Sequence, residues 1–572
     1  MGTKYIGRLR TLAVLVVLVA ALFATRLFSL QAFSGQNYRE EANRQYMSAG
    51  DDSFDRGSIF FSPKDGSIIS AGTVRPSFFI SVHPAKIADP KALWSKLGPL
   101  LAGVSEEGFL NHFNNKSDPY EVLGRGLSQS AAEQIVRMKL QGVEIHKTAE
   151  RVYPGKQLAA HVLGFIGHDE SSGDRLVGEA GIERYDEEVL TRREQTLYVN
   201  FFAELFSDVN NVLFDRGVGK QGDVILTIEP TVEAELEHVL ANVKEEYRGK
   251  EVGGIVLEPK TGAILAMSAL PTFDPNDVRN ADPLTFKNPL VQSVFELGSI
   301  MKPLTLAAAL DAGAITPETT YKDKGKIEFG SMTISNYDGK GRGTVPMQEI
   351  LNQSLNTGAV FAMQQLGAQR FERYLRNFGF GEGTGIDLPG DALGLTQTIT
   401  SGRAVELATD SFGQGFAISP LTMARALAAL GNGGLIMRPH LTKEIRYTLG
   451  QKKVTEPVAE RRVLDERTST TITRMLVKVV DSALAHGTAK LEHYTVAAKT
   501  GTAQIPEPGG GYAVGRYMHS FFGYFPAYDP RFLVFLYIRE PQGVQYASET
   551  LTKPFFDLTK FLLHYYEIPP DR

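Results

Sequence analysis

The sequence predicts an α/β (α+β) chain, with a central antiparallel sheet flanked by helices behind a β-rich N-terminal region and one transmembrane helix. Three observations lead there. Residues 12–24, LAVLVVLVAALFA, contain no polar side chain, which is how a membrane segment reads. From Val224 onward, strand-like and helix-like patterns alternate to the end of the chain, as expected of a sheet packed against helices. Within that stretch, two apolar runs in GGIVLEPKTGAILAMSAL (Gly253 to Leu270) flank the turn-rich Glu258-Pro259-Lys260-Thr261-Gly262, a hairpin signal. Composition narrows the class further. A 572-residue chain that is 43% hydrophobic and 22% charged is a multi-domain folded protein rather than a disordered one. A net charge of −5 offers no domain-wide basic surface, so no nucleic-acid partner is expected. The absence of cysteine excludes disulfides, thiolate metal sites and cysteine nucleophiles together.

The elements follow in chain order. Lys4, Arg8 and Arg10 precede the apolar run, and after Arg26 it resumes with Leu27, Phe28 and Leu30. Residues 12–30 are therefore just long enough to span a bilayer, with Arg26 snorkelling at the outer edge. The basic flank places residues 1–11 in the cytoplasm and the body outside. The expected location is the inner or plasma membrane, crossed once. A cleaved signal peptide is the competing reading; the lack of an A-x-A site and the apolar residues past Arg26 favour an anchor.

Residues 31–222 form the first exported region, with a strand at SFFISVH (Ser77 to His83) and a helix over Ser130 to Leu140. Its polar groups make no catalytic set, so it reads as a structural or docking module. GVGKQGD (Gly217 to Asp223) is a linker-like break. Residues 223–572 form the second region, opening with VILTIEP and a helix from Thr231 to Tyr247.

Three short motifs in this second region bear on chemistry. The first is Ser299-Ile300-Met301-Lys302, between Gly298 and Pro303 and followed by the helix-like LTLAAALDAG. Three-residue spacing on a helix brings hydroxyl and amine to one face. A lysine whose pKa is lowered can then act as base for a serine nucleophile. The second is Ser354-Leu355-Asn356, which alone reads as a helix cap. Its catalytic alternative makes Ser354 a proton shuttle and Asn356 a holder of the substrate amide. The third is Lys499-Thr500-Gly501-Thr502, on a strand-like stretch beside HSFFGYF and RFLVFLYI, where glycine would admit a substrate backbone. The same tripeptide also occurs at Lys260-Thr261-Gly262, where a hairpin turn explains it. Each motif alone recurs by chance, but the ordered triple Ser-x-x-Lys, Ser-x-Asn, Lys-Thr-Gly is a known catalytic signature.

On these residues the chain resembles the class B, monofunctional penicillin-binding proteins, the division-type more than the elongation-type. FELGSIMKP, GFGEGTGIDLPGD (Gly379 to Asp391), FGQGFAISPLTMARALAALGNGG (Phe412 to Gly434) and VAAKTGTAQ share the resemblance. In the first exported region, Arg56-Gly57-Ser58-Ile59, RVYPGKQLAAHVLGFIG (Arg151 to Gly167) and GEAGIERYDEEVL (Gly178 to Leu190) are similar to that family's pedestal, or dimerisation, domain. FFSPKDG (Phe60 to Gly66) departs from it, since the family more often has an Asp-Arg pair there.

The resemblance implies a transpeptidase fold and a peptidoglycan D,D-transpeptidase acting on stem peptides and acylated by β-lactams. It implies Ser299 as nucleophile, Lys302 as its base, and Ser354 and Lys499 as a proton relay. It further implies Thr500 and Thr502 as carboxylate binders, and backbone N–H groups of Ser299 and Thr502 as an oxyanion hole. Losing one such donor costs about 3–4 kcal/mol. No metal or cofactor is implied. The expected partners are a SEDS-family glycan polymerase and other membrane proteins of cell-wall synthesis. A serine β-lactamase, a membrane-anchored β-lactam receptor and a catalytically dead scaffold are the competing readings. A β-lactamase would need a carboxylate base against water, for which Glu406 in RAVELATDSFGQG is the residue to inspect.

Overall fold

The computed structural model describes residues 55–101, 103–116, 120–169, 175–192, 221–330, 332–448, 450–507 and 509–572. The expected tail (1–11) and anchor (12–30) lie outside these residues. Among the described residues, no helix is long and apolar enough to cross a membrane.

The chain forms two compact units, one of Arg75–Glu150 and a larger one of Asp55–Val74 with Arg151–Arg572. In the smaller unit, Phe78–Val82 pairs antiparallel with the strand Glu121–Leu127. Helices Pro90–Leu97, Glu106–Asn111 and Gln129–Arg137 start where Asp89, Ser105 and Ser128 side chains accept from first-turn N–H groups. Such caps satisfy donors that the helix itself cannot. Ile80, Val82, Leu97, Phe109, Leu123 and Ile135 fill the core between them.

The larger unit is built on a five-stranded sheet. Helix α1 (Pro230–Tyr247) leads into the hairpin β1 (Glu251–Leu257) and β2 (Ile264–Leu270). Helices α2 (Lys302–Asp311), α3 (Asn356–Leu366), α4 (Ala404–Asp410) and α5 (Glu466–Lys478) follow. Strands β3 (Ala497–Pro506), β4 (Tyr512–Phe525) and β5 (Phe532–Arg539) and helix α6 (Thr552–Tyr565) complete it. The strand order is β3-β4-β5-β1-β2, antiparallel throughout.

Strand β5 shows why RFLVFLYI reads as one apolar run. Phe532, Val534, Leu536 and Ile538 pack in a cluster with α1 and α6 residues. Leu533, Phe535 and Tyr537 belong to a second cluster, which contains residues of α2, α3 and α5. Successive side chains point to opposite faces, and both faces are covered, so no polar alternation survives. Helix α2 is enclosed in the same way. Leu304, Thr305, Leu306, Ala307, Ala308 and Ala309 are all buried, as expected of a helix that is apolar all round.

At the division expected at residue 222, a strand joins segments from both sides. Gly222–Leu226 is itself a strand, paired with Ile59–Phe61 and with Thr442–Tyr447. Nearby, the fully buried Glu183 accepts from Arg56 Nε at 2.6 Å, Arg151 Nε at 2.7 Å and Tyr153 Oη at 3.1 Å. Breaking one partner would leave a buried charge uncompensated, which is strongly destabilising. Among the described residues, Asp55–Val74 and Arg151–Arg192 thus belong to the larger unit, and Arg75–Glu150 to the smaller one. At the FFSPKDG departure, Ser62 accepts from Lys443 Nζ at 2.7 Å and its N–H donates to Ile228 O at 3.0 Å.

Candidate active site

The three motifs meet at the N-terminal end of α2. Ser299 sits in a one-turn 3₁₀ helix, Gly298–Met301, that runs directly into α2 at Lys302. In 3₁₀ geometry, residues i and i+3 eclipse, so Lys302 Nζ lies 2.9 Å from Ser299 Oγ. The expected pairing is realised in this tighter turn rather than in an α-helix. Gly298, at φ +65°, makes the entry possible.

Lys302 is fully buried and its amine is enclosed by acceptors. It donates to Ser354 O at 2.6 Å and to Asn356 Oδ1 at 2.8 Å, with Ser354 Oγ at 3.1 Å. Burial holds the amine well below the usual lysine range, and the Lys499 cation lowers it further. Lys499, on β3, is pushed down to about 7 by burial alone. Its Nζ donates to Ser354 Oγ at 3.2 Å and to Thr500 O at 2.9 Å. Ser354 therefore bridges two amines, one on each side of its hydroxyl. It is no helix cap. The first residue of α3 is Asn356, the cap position is Leu355 without a side-chain bond, and Ser354 is held at φ +53°.

Asn356 uses both ends of its amide within the protein, since Nδ2 donates to Ser335 O at 2.9 Å. One N–H remains for a ligand, because the amide carries two. Thr502 Oγ1 accepts from Ala547 N at 3.0 Å, which leaves its own O–H to donate. Thr500 Oγ1 lies 3.4 Å from Lys499 Nζ.

Gly501 has a different reason from the one the sequence suggested. A Cβ there would stand 2.4 Å from Ser520 Oγ and 2.6 Å from Leu297 O. The close approach is to the turn that carries Ser299. Ser520, opposite Gly501 in register on β4, donates to Leu297 O at 2.7 Å. Gly413 does the same from the other side. Its φ is +85°, Gly298 N donates to its carbonyl at 3.0 Å, and a Cβ would come within 2.2 Å of Gly298 O. Thr305 on α2 donates to Ser411 O at 2.7 Å. Sequence reasoning missed Ser520, Gly413 and Thr305 as supports of the Ser299 turn. Only strand register or the glycines of SFGQG could have signalled them. A Cβ on Gly298 would lie 2.7 Å from Thr502 O, so the backbones at Ser299 and Thr502 run side by side.

Glu406 lies in α4, paired with Arg403. Among the described residues, no hydrogen bond joins it to Ser299, Lys302, Ser354 or Lys499. It belongs to a carboxyl group set with Asp410 and Glu296. Asp410 is pushed up to about 8, by burial first and then by Glu406 and Glu296. Burial pushes Glu296 up to about 7. No group of His, Asp and Glu suited to a metal ion occurs among the described residues.

Residues 252–558 match the penicillin binding protein transpeptidase domain family, and residues 61–200 match the penicillin-binding protein dimerisation domain. Stage V sporulation protein D of Bacillus subtilis is 31% identical, over 94% of this chain and 82% of that protein. The probable peptidoglycan D,D-transpeptidase PenA of Neisseria gonorrhoeae is 27% identical, over 95% and 90% respectively. Penicillin binding protein 2X from Streptococcus thermophilus shares the fold with a TM-score of 0.72 at 21% identity, covering 90% of this chain and 79% of that one. Penicillin binding protein 3 from Mycobacterium tuberculosis, solved with aztreonam, does so with a TM-score of 0.68 at 23% identity, covering 91% and 98%. With the Ser299–Lys302 turn, the Ser354–Asn356 turn and the Lys499 strand converging in this fold, the chain belongs to the penicillin-binding protein transpeptidases.

Proposed function

We propose that the peptidoglycan D,D-transpeptidase activity of this chain runs through Ser299 as nucleophile and Lys302 as its base. The observation that supports it best is a fully buried amine 2.9 Å from the hydroxyl it must deprotonate. Burial and the neighbouring cation keep that amine neutral enough to accept a proton. Ser299 Oγ attacks the carbonyl between the two terminal D-alanines of a stem peptide, and Lys302 takes its proton. Backbone N–H groups of Ser299 and Thr502 receive the oxyanion. Ser354, between the two amines, passes a proton to the leaving D-alanine as the C–N bond breaks. Thr500, Thr502 and the Lys499 cation hold the terminal carboxylate, and the second N–H of Asn356 holds a substrate amide. An amine from a second stem peptide then attacks the ester, closes the cross-link and returns Ser299 to its hydroxyl. A penicillin acylates the same serine.

Around this chemistry, residues 12–30 anchor the chain once in the inner or plasma membrane, and residues 31–222 serve as its pedestal. A SEDS-family polymerase supplies the glycan, in a role closer to division than to elongation. The apolar run with its basic flank supports the anchor, and SFGQG (Ser411 to Gly415) is the feature that leans toward division. Among the described residues, Glu406 pairs with Arg403 and shares no hydrogen bond with Ser299, which supports an acyl-enzyme that persists.

Fluorescent penicillin labelling of the full chain tests the chemistry. Ser299→Ala is expected to abolish the label while the protein stays folded. Equal labelling of the variant and the parent, or rapid catalytic hydrolysis of benzylpenicillin, overturns the reading.

A further inference from the structure

Behind Asn356 lies a buried polar cluster that the reaction as written does not use. Asp323, 3% exposed, accepts from four neutral donors: Gly325 N at 2.9 Å, Arg342 N at 2.9 Å, Thr357 Oγ1 at 2.8 Å and Asn336 Nδ2 at 3.0 Å. Asn336, also 3% exposed, accepts in turn from Thr357 N at 3.2 Å, and its own N–H donates to Gly325 O at 2.9 Å. Thr357 is the residue after Asn356 in the first turn of α3. Asn336 is the residue after Ser335, whose carbonyl receives Asn356 Nδ2. The cluster thus clamps both neighbours of one hydrogen bond.

That hydrogen bond decides which end of the Asn356 amide meets Lys302. A carbonyl oxygen only accepts, so Ser335 O takes the NH₂ end and leaves Oδ1 for the amine. We propose that Asn336, held by Asp323 and Thr357, is a positioning residue for the catalytic base, fixing Ser335 so that Asn356 keeps its oxygen toward Lys302. It acts through Asn356 and touches neither substrate nor the reacting atoms. If the clamp is released, the amide rotates. Lys302 then loses an acceptor and faces a donor, while its alignment on Ser299 loosens.

The sign of the effect follows from what surrounds Lys302. Its charged neighbour is Lys499, and its polar neighbours are Ser299, the hydroxyl and carbonyl of Ser354, and Asn356. Lys499 disfavours the ammonium, while the acceptors favour it. Removing Oδ1 makes the ammonium less favourable, so Lys302 gives up its proton at lower pH.

This inference rests on Lys302 as the base, so the experiment first establishes that Lys302→Ala removes penicillin acylation; retained acylation sinks the base itself. The second-order acylation rate of the full chain is then followed against pH for Asn336→Ala. The acid limb is expected to move down by about half a unit to one unit, and the maximal rate to fall roughly tenfold. Thr357→Val, with Thr357→Ser as the variant that keeps the hydroxyl, gives the same comparison if Asn336→Ala does not fold. Val should shift the limb and Ser should leave it in place. In an Asn356→Ala background, neither change should move the limb further. A residue that only stabilised the fold would lower the active fraction without moving the limb. An unmoved limb in Asn336→Ala and Thr357→Val, or shifts that add to that of Asn356→Ala, overturns the proposal.

Discussion

Two Lys-Thr-Gly tripeptides occupy this chain, and the protein treats them in opposite ways. Lys260 is half exposed at the β1–β2 turn, ion-paired with Asp529. Thr261 closes the turn on itself, donating to Glu258 Oε2 at 2.9 Å and accepting from Ala263 N at 3.1 Å. Lys499 is 3% exposed within a central-sheet strand, its amine against Ser354. Even the glycines differ in kind. Gly262 is needed for its φ of +81° and for the approach of Arg438 O, 2.3 Å from where a Cβ would sit. Gly501 carries no such φ and is needed for proximity to Leu297 and Ser520. The lesson is that identical strings acquire their chemistry from burial and from what faces them.

The largest contrast is expected between the lysines. Lys499→Ala should lower the penicillin acylation rate by orders of magnitude, because it removes a buried cation from developing negative charge. Lys260→Ala should leave that rate unchanged and cost well under about 1 kcal/mol of stability, since exposed ion pairs contribute little. Equal losses of acylation would mean that the functional copy has been misassigned.

A crossed result is expected for the glycines. Gly501→Ala pushes β3 away from the nucleophile turn and should slow acylation roughly tenfold to a hundredfold. Gly262→Ala should instead lower stability by about 1–3 kcal/mol, with acylation by the folded fraction intact. Thermal melting beside labelling rates separates the two effects; a matching pattern in both variants would erase the distinction.

The smallest contrast lies in pH dependence. Acylation should rise with pH as Lys302 becomes neutral, then fall as Lys499 loses its proton at about 7. Lys499→Arg, with a guanidinium that does not titrate, should remove the alkaline limb. Lys260→Arg should leave the whole profile in place. An alkaline limb that survives Lys499→Arg belongs to another group.

Much of the candidate site was legible because its residues sit in short, ordered strings. Ser299, Lys302, Ser354, Asn356 and Lys499 converge on one another through direct hydrogen bonds. The hairpin, α1 and the strands after Lys499 were legible because apolar periodicity marks them. What was not legible depends on contacts between distant segments. Ser520 supports the Ser299 turn only through strand register, and Gly413 only because the Gly298 backbone passes within hydrogen-bonding distance. The strand at Gly222–Leu226 escaped the sequence reading for the same reason. A loop-rich stretch near residue 222 looks like a linker in sequence, yet Arg56, Arg151 and Glu183 lock its surroundings into one buried charge network. Propensity read Ser354 as a cap, whereas its backbone is bent away from helix geometry to set a hydroxyl between two amines.

That bend at Ser354 bears on laboratory evolution. A non-glycine residue at φ +53° holds about 1–3 kcal/mol of conformational strain. Glycine relieves it but removes the hydroxyl that accepts from the buried amines of Lys302 and Lys499, and a buried donor left unmet costs about 1–3 kcal/mol. A selection scored on heat resistance alone therefore meets two effects of similar size and opposite sign at Ser354→Gly, and lets the hydroxyl go almost unnoticed. Stability screens on this chain need a labelling step in every round, because at this one position thermal fitness does not report turnover.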